Sequence, residues 1–210
     1  QTAVEEAQRA LLSAKVEASS ARHGLGIVKL MGRQSGFIAM SASLASGVVD
    51  VCLIPEVPFK IEKLAAHLQD IIHEKGHAVI CVAEGAGQEL MQEFSDQTDA
   101  SGNPILQDIG VYLKTQLKER LDEPDVKYID PTYMIRAIPT TSQDRIYCKA
   151  LGQSAVHGAF AGYTDITVGM VNTHMAILPI PTIIMAPKVV NVKGSSYNRL
   201  RSALRQPDLS

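Results

Sequence analysis

The sequence predicts an α/β fold with a largely parallel β-sheet and helices on both of its faces. Short apolar runs of strand character alternate with longer stretches of helical periodicity along most of the chain. The apolar runs are continuous, which is typical of strands that are buried on both faces. Because parallel strands need crossover connections, each helical stretch between two such runs predicts one crossover unit.

The elements follow one another in a regular order. The first is a helix over 2–20, whose start matches a capping box formed by Thr2 and Glu5. Strands are predicted at 27–30, 51–55, 78–83 and 126–129, and helices at 37–46, 61–75, 87–94 and 109–121. Residues 99–104 are the clearest loop. After a boundary near 139–143, the sequence predicts a long helix over 144–162 and a strand-like stretch over 168–180.

Composition limits the classes of function. The 210 residues are 46% hydrophobic and 20% charged, enough for one substantial core or two modest ones. A net charge of -2 argues against a nucleic-acid binder held by electrostatics. The 3 cysteines lie far apart and match no metal or disulfide spacing, which fits a reducing compartment. The longest apolar run is too short for a bilayer, so we expect neither nucleic acid nor membrane as a partner.

The first candidate site follows the first predicted strand, where Met31, Gly32 and Arg33 precede a helical stretch. A strand end that runs into a helix start offers unpaired backbone amides and the positive end of a helix dipole. Guanidinium groups bind phosphate in two places at once. The segment therefore suits an anion. The alternative is that Met31 belongs to the core, Gly32 forms a turn and Arg33 is solvated.

The second candidate is Glu84, which ends the apolar run 78–83 and precedes a Gly-Ala-Gly turn. A carboxylate at the carboxyl end of a parallel strand can accept hydrogen bonds from ligand hydroxyls. It can equally complement the dipole of a following helix.

The third candidate is the stretch from Lys127 to Arg136. Pro131 marks a turn or strand exit, so Lys127, Tyr133 and Arg136 could flank one loop and hold a phosphate. An ordinary surface loop with solvated charges is the alternative.

Four motifs in order resemble the phosphofructokinase family, most closely its ATP-dependent plant form. They are M-G-R-Q-S-G-F-I-A-M, L-I-P-E-V-P-F, V-A-E-G-A-G-Q and Y-I-D-P-T-Y-M-I-R. The resemblance covers 2–208 and matches least well after residue 188. It implies the parallel-sheet, Rossmann-like, two-domain phosphofructokinase fold, with the N-terminal nucleotide-binding part missing from this sequence.

The resemblance also implies where the substrate fructose 6-phosphate binds. The M-G-R motif places contacts at Met31, Gly32 and Arg33, and the acid of V-A-E places a contact with sugar hydroxyls at Glu84. The segment that holds the sugar phosphate corresponds to Tyr133, Met134, Ile135 and Arg136. Lys127 lies where bacterial relatives carry an arginine that crosses a subunit interface, and the Lys-for-Arg difference leaves its role open.

Two family motifs are missing from the sequence, a G-G-D-G-type nucleotide loop and a T-I-D-N-D segment whose aspartate is the base. We expect both upstream of Gln1, together with the ligands of Mg²⁺ and ATP. No catalytic or metal-binding residue is therefore predicted in this chain, and the chain alone is predicted to be inactive. Glu56 is not assigned as the base, because its position belongs to the effector site in bacterial relatives and a structural acid fits equally well.

The resemblance implies three parts: 1–25 as a helix connecting to the missing nucleotide domain, 26–138 as the substrate domain, and 139–210 as a segment returning to the nucleotide domain plus a tail. It implies a cytoplasmic, homo-oligomeric, allosteric glycolytic enzyme that phosphorylates fructose 6-phosphate with ATP, with a plastid as the alternative compartment. Two alternative functions remain open. The phosphoryl donor could be pyrophosphate, or the protein could be a non-catalytic subunit that binds sugar phosphate.

Overall fold

The computed structural model describes residues 1–91, 98, 102 and 105–210. The chain divides into two compact units. The larger one, the sheet unit, consists of Ala3–Ala137 and Val189–Ser210. The smaller one, the hairpin unit, consists of Gln1–Thr2 and Ile138–Lys188.

The sheet unit is built on four parallel strands in the order β2-β3-β1-β4. The strands are β1 Gly24–Leu30, β2 Val51–Leu53, β3 His77–Ala83 and β4 Asp125–Ile129. The helices are α1 Thr2–Ser20, α2 Phe37–Ser46, α3 Ile61–Lys75, α4 Ile109–Arg120, α5 Thr132–Arg136 and α8 Ser195–Leu204. This arrangement confirms the predicted α/β fold with a parallel sheet and crossover helices.

The sheet has a hydrophobic core on each face, because successive side chains of a buried strand point to opposite sides. Leu25 and Ile27 of β1 pack with α3 and α4, whereas Val28 and Leu30 pack with α1, α2 and α8. The apolar positions of α3 recur every three or four residues and face the sheet: Ile61, Leu64, Ala65, Leu68 and Ile72.

Helix α1 lies very close to β1 because both elements carry small residues where they meet. Ala7, Ala14 and Ala18 are fully buried. A Cβ atom on Gly24 would lie 1.9 Å from the carbonyl oxygen of Ala18, and one on Gly26 would lie 3.1 Å from that of Ala14. Glycine is therefore a packing requirement at position 24, and at position 26 a larger residue would force a small shift of α1.

The last residues of the chain cover the free edge of β2. The Gln206 side chain accepts a hydrogen bond from the Cys52 amide at 2.8 Å and donates one to the Cys52 carbonyl at 3.2 Å. A single side-chain amide thereby replaces a neighbouring strand at that point. The predicted third part, 139–210, combined a returning segment with a tail, and Val189–Ser210 of this part packs with the sheet unit. Most of α1 also belongs to that unit rather than to a separate connection.

The hairpin unit contains α6 Ser142–Phe160, the antiparallel pair β5 Ile166–Val171 and β6 His174–Pro179, and the short helix α7 Ile180–Ile184. Asn172 and Thr173 form the two-residue turn with φ of 48° and 70°. Two consecutive positive φ angles are typical of a type I′ turn, whose twist matches that of a hairpin. The stretch predicted to be strand-like, 168–180, therefore consists mostly of two strands and the turn between them.

Two other local predictions differ from the structure, and a third falls almost wholly outside the described residues. The start of α1 does not use Glu5 as predicted, because the Thr2 amide and hydroxyl both donate to Asp144, at 2.7 and 2.6 Å. These bonds lower the pKa of Asp144 to about 2. The helix expected over 87–94 is a 3₁₀ turn, Gln88–Leu90, and its last three positions lie outside the described residues. So does almost all of the loop predicted at 99–104.

Candidate functional site

The candidate site lies at the carboxyl ends of the two central strands, β1 and β3. These strands are neighbours, and their continuations leave toward opposite faces of the sheet, since α2 packs on one face and α4 on the other. Such a topological switch point opens a crevice in which doubly wound sheets bind ligands. The two most specific predicted motifs, after β1 and after β3, therefore meet at the position where the fold itself favours a ligand.

Gly32 and Glu84 are brought into contact at this point. The Gly32 amide donates to Oε1 of Glu84 at 3.4 Å, although the two residues are 52 positions apart in sequence. Gly32 has φ of 153°, and a Cβ atom there would lie 2.6 Å from the carbonyl oxygen of Ser35. Only glycine fits this backbone, which keeps one face of the turn open beside the carboxylate.

The two turns are also locked together through their backbones. The Glu84 amide donates to the Leu30 carbonyl at 2.9 Å, and the Gly85 amide donates to the Gly32 carbonyl at 3.1 Å. A Cβ atom on Gly85 would lie 1.9 Å from the carbonyl oxygen of Arg33. The arginine and the carboxylate are thus presented from one rigid pair of turns. Their side chains are partly exposed.

Gln88 fixes the far end of the Glu84 turn. Its side-chain amide donates to the Glu84 carbonyl at 2.7 Å and to the Gln107 carbonyl at 3.1 Å, and its Oε1 accepts from the Gln107 amide at 3.2 Å. The turn after β3 is therefore tied to the residues that precede α4.

Tyr133, Met134 and Arg136 lie on α5, a five-residue helix that follows β4, so the predicted loop is a short helix. Tyr133 and Met134 are 84% and 71% exposed, and Arg136 is also exposed. Ile135 is 6% exposed and packs in the core with Val28 and Leu30. Its side chain anchors α5, so a ligand contact from Ile135 is limited to its backbone.

Lys127 does not flank the same loop, and this part of the prediction is wrong. It lies within β4, opposite Gly26, on the sheet face that carries α1. Its Nζ is 3.2 Å from Asp125 and 3.9 Å from Glu17. Lys127 lies two residues before the end of β4, roughly 7 Å at the usual rise per residue.

Glu56, which follows β2, is occupied by backbone amides. Its carboxylate accepts from the Gly36 amide at 3.1 Å and from the Val190 amide at 2.7 Å. Gly36 is the N-cap of α2, so Glu56 holds the end of the arginine turn. This arrangement supports a structural role and gives no support to a role as a base.

A charged cluster that was not predicted from the sequence lies at the other side of the site. Lys29, near the end of β1, forms ion pairs with Asp108 at 2.9 Å and with Asp130 at 3.0 Å. Tyr128 donates its hydroxyl to Asp108 at 2.8 Å. The one signal in the sequence is a lysine within an otherwise apolar strand.

The described residues contain neither a membrane-spanning helix nor a metal-binding cluster. None of their helices combines the length and the apolar character needed to cross a bilayer. Among the same residues, no three His, Cys, Asp or Glu side chains are grouped closely enough to hold a metal ion.

Comparison with known proteins identifies a family. The model of the family described as phosphofructokinase matches residues 1–159. The chloroplastic ATP-dependent 6-phosphofructokinase 5 of Arabidopsis thaliana is 56% identical over 99% of this chain and 40% of its own length. The ATP-dependent 6-phosphofructokinase of Borreliella burgdorferi is 41% identical over 99% of this chain and 49% of its own length. The chain thus spans less than half the length of these relatives.

Solved structures show the same fold at lower identity. The pyrophosphate-dependent phosphofructokinase of Marinobacter aquaeolei superposes with a TM-score of 0.68 at 20% identity, over 99% of this chain and 53% of that protein. The phosphofructokinase of Saccharomyces cerevisiae gives a TM-score of 0.65 at 20% identity, over 96% of this chain and 24% of that protein.

Proposed function

Because the chain belongs to the phosphofructokinase family, we propose that the native protein transfers the terminal phosphoryl group of ATP to fructose 6-phosphate, forming fructose 1,6-bisphosphate. In this proposal the chain supplies the site for the sugar phosphate. The observation that carries it is the contact between Gly32 and Glu84, which joins two motifs at the switch point of the sheet.

The side chains at this edge have the chemistry that a sugar phosphate needs. Glu84 would accept hydrogen bonds from sugar hydroxyls, since an ionised carboxylate is an acceptor only. Arg33 and Arg136 would bind the phosphate through charge-assisted bonds, with Tyr133 and Met134 exposed beside Arg136. The backbone of Gly32 would allow the ligand to approach closely, with Met31 packed beneath the turn.

In this proposal these residues position the acceptor. ATP-dependent phosphoryl transfer uses Mg²⁺, which neutralises charge on the transferred group, but the described residues contain no group of three suitable ligands. The relatives are more than twice as long as this chain. We propose that the corresponding further part of the native protein binds the nucleotide and the metal and carries the catalytic base.

ATP is the proposed donor because the relatives at 56% and 41% identity are named as ATP-dependent enzymes. Pyrophosphate is the alternative donor, and the pyrophosphate-dependent protein at 20% identity supports only the shared fold. A second alternative is that the protein is not an enzyme but a subunit that binds sugar phosphate. Assays with each donor on the native protein distinguish the three.

The hairpin unit is proposed to belong to the nucleotide-binding domain. It exposes large apolar side chains, among them Phe160 at 91% and Ile146 at 70%. Such side chains lose about 1.5–3 kcal/mol each when they stay in water instead of a core. We propose that the nucleotide domain covers them, and that Lys127 faces a second subunit of a homo-oligomer. A cytoplasmic location is proposed, with the plastid as the alternative because one relative is named chloroplastic.

Arg33→Ala in the native protein tests the assignment. The KM for fructose 6-phosphate should rise roughly ten- to a hundredfold, because one charge-assisted bond contributes about 1.5–3 kcal/mol. The KM for the nucleotide should change little. Arg22→Ala is the matched control, since Arg22 is exposed and precedes the opposite, amino end of β1. Steady-state kinetics with each substrate varied in turn measure both constants, and an unchanged sugar-phosphate KM would refute the site.

A further inference from the structure

Lys29 has a side chain that is largely withdrawn from solvent, with 14% of it exposed. It lies on the same sheet face as Leu25 and Ile27, which belong to the hydrophobic core. Its Nζ contacts carboxylates from two separate segments, Asp108 at 2.9 Å and Asp130 at 3.0 Å. One ammonium group therefore links β1 to two elements that border the candidate site.

The first link reaches α4. Asp108 is the N-cap of that helix, and its Oδ1 accepts from the Gly110 amide at 2.9 Å and from the Val111 amide at 3.2 Å. The Tyr128 ring packs against the same turn, where a Cβ atom on Gly110 would lie 2.2 Å from the ring. The start of α4 is thereby held against β1 and β4.

The second link reaches α5. Asp130 accepts from the Thr132 amide at 3.1 Å and from the Thr132 hydroxyl at 2.5 Å, and so fixes the first residue of the helix. A five-residue helix is not stable by itself and depends on tertiary contacts for its position. Asp130 at its start and the buried Ile135 are two such contacts.

We propose that Lys29 is a positioning residue for sugar-phosphate binding, which it serves by holding Asp130 and thereby the α5 helix that presents Tyr133 and Arg136. The proposal rests on the function proposed above. Lys29 itself is not assigned to the phosphate, because its one positive charge is already opposed by two carboxylates. Its role is to set the position of Arg136 on α5.

The protonation of the cluster agrees with this role. Burial disfavours the ammonium form, but the hydrogen bonds to Asp108 and Asp130 outweigh it and raise the pKa of Lys29 above its ordinary value. Burial likewise opposes ionisation of Asp130, yet its bonds to Thr132 and Lys29 lower its pKa. Burial also opposes ionisation of Asp108, but its bonds to Lys29 and Tyr128 lower its pKa. Lys29, Asp108 and Asp130 therefore all stay charged at neutral pH, and the link persists under those conditions.

The test uses the native protein with Lys29→Met and Lys29→Arg. Methionine keeps much of the length and removes the charge, whereas arginine keeps the charge. We expect Lys29→Met to raise the KM for fructose 6-phosphate by about tenfold, the size of one lost charge-assisted contact. The KM for the nucleotide should stay within about twofold, and Lys29→Arg should recover most of the loss. Lys118→Met, exposed near the end of α4, is the control.

Asp130→Asn is the second variant, because Asp130 is partly exposed and its substitution is compatible with folding even if Lys29→Met is not. It should also raise the sugar-phosphate KM, and amide hydrogen exchange should become faster over 132–137. An unchanged KM in Asp130→Asn, or equal losses in the methionine and arginine variants of Lys29, would overturn the proposal. If Arg33→Ala raises the KM while these variants do not, the proposed function survives and only the role of Lys29 fails.

Discussion

Replacing Glu84 with glutamine should weaken fructose 6-phosphate binding and leave the fold intact. The backbone of Glu84 is held by bonds that glutamine retains, from its amide to Leu30 and from Gln88 to its carbonyl. Among the described residues, the carboxylate accepts a long hydrogen bond from the Gly32 amide, at 3.4 Å, which a glutamine oxygen can also accept. The free energy of unfolding should therefore change by less than about 1 kcal/mol.

The affinity for fructose 6-phosphate, in contrast, should depend on the negative charge of Glu84. A carboxylate that accepts from a sugar hydroxyl forms a charge-assisted bond, and its loss costs about 1.5–3 kcal/mol. That corresponds to roughly a ten- to hundredfold rise in the KM for fructose 6-phosphate. The KM for the nucleotide should not rise.

The assay combines steady-state kinetics of the native protein with urea unfolding of the same preparations. Glu89→Gln is the matched control, because Glu89 is exposed on the adjacent 3₁₀ turn and should change neither measurement. If Glu84→Gln lowered the stability sharply while the surviving folded enzyme bound fructose 6-phosphate normally, Glu84 would be a structural acid and the reasoning would be refuted.

Two further predictions concern stability. Burial chiefly raises the pKa of Tyr128 to about 12, so its contribution to stability is present below its unfolded pKa of about 10 and lost as the pH rises toward 12. A pH series of urea unfolding should show this loss in the wild type and a smaller one in Tyr128→Phe; identical profiles would contradict it. Gln206→Ala should lower the free energy of unfolding by about 1–3 kcal/mol, because the buried Cys52 amide and carbonyl lose their partner, whereas Gln153→Ala, on the exposed face of α6, should not.

Most of the sheet unit was predictable because its signals are local. The helices at 37–46 and 61–75 were predicted with the bounds that the structure shows, since Gly47 and Gly76 end them in the left-handed conformation. The four strands were predicted within three residues at each end. The two motif turns after β1 and β3 were recognised from residue type and position alone.

Other features have weak local signals. The hairpin turn uses Asn172 and Thr173, and without the usual glycine at the second position the apolar stretch looked continuous. The helix α5 is too short for periodicity to reveal it. The ion pairs of Lys29 could not be predicted, because nothing near it in sequence indicated the carboxylates of Asp108 and Asp130.

The sequence by itself determined that this chain forms a parallel sheet with helices on both faces, because continuous apolar runs and helical periodicity record which surfaces each segment must bury. Only the tertiary structure decided which strands are neighbours. The order β2-β3-β1-β4 places Glu84 beside Gly32, moves Lys127 to another part of the sheet and brings Gln206 to the edge of β2. Local patterns specify a face to bury but not the partner that covers it, and strand order follows from the packing of the whole chain.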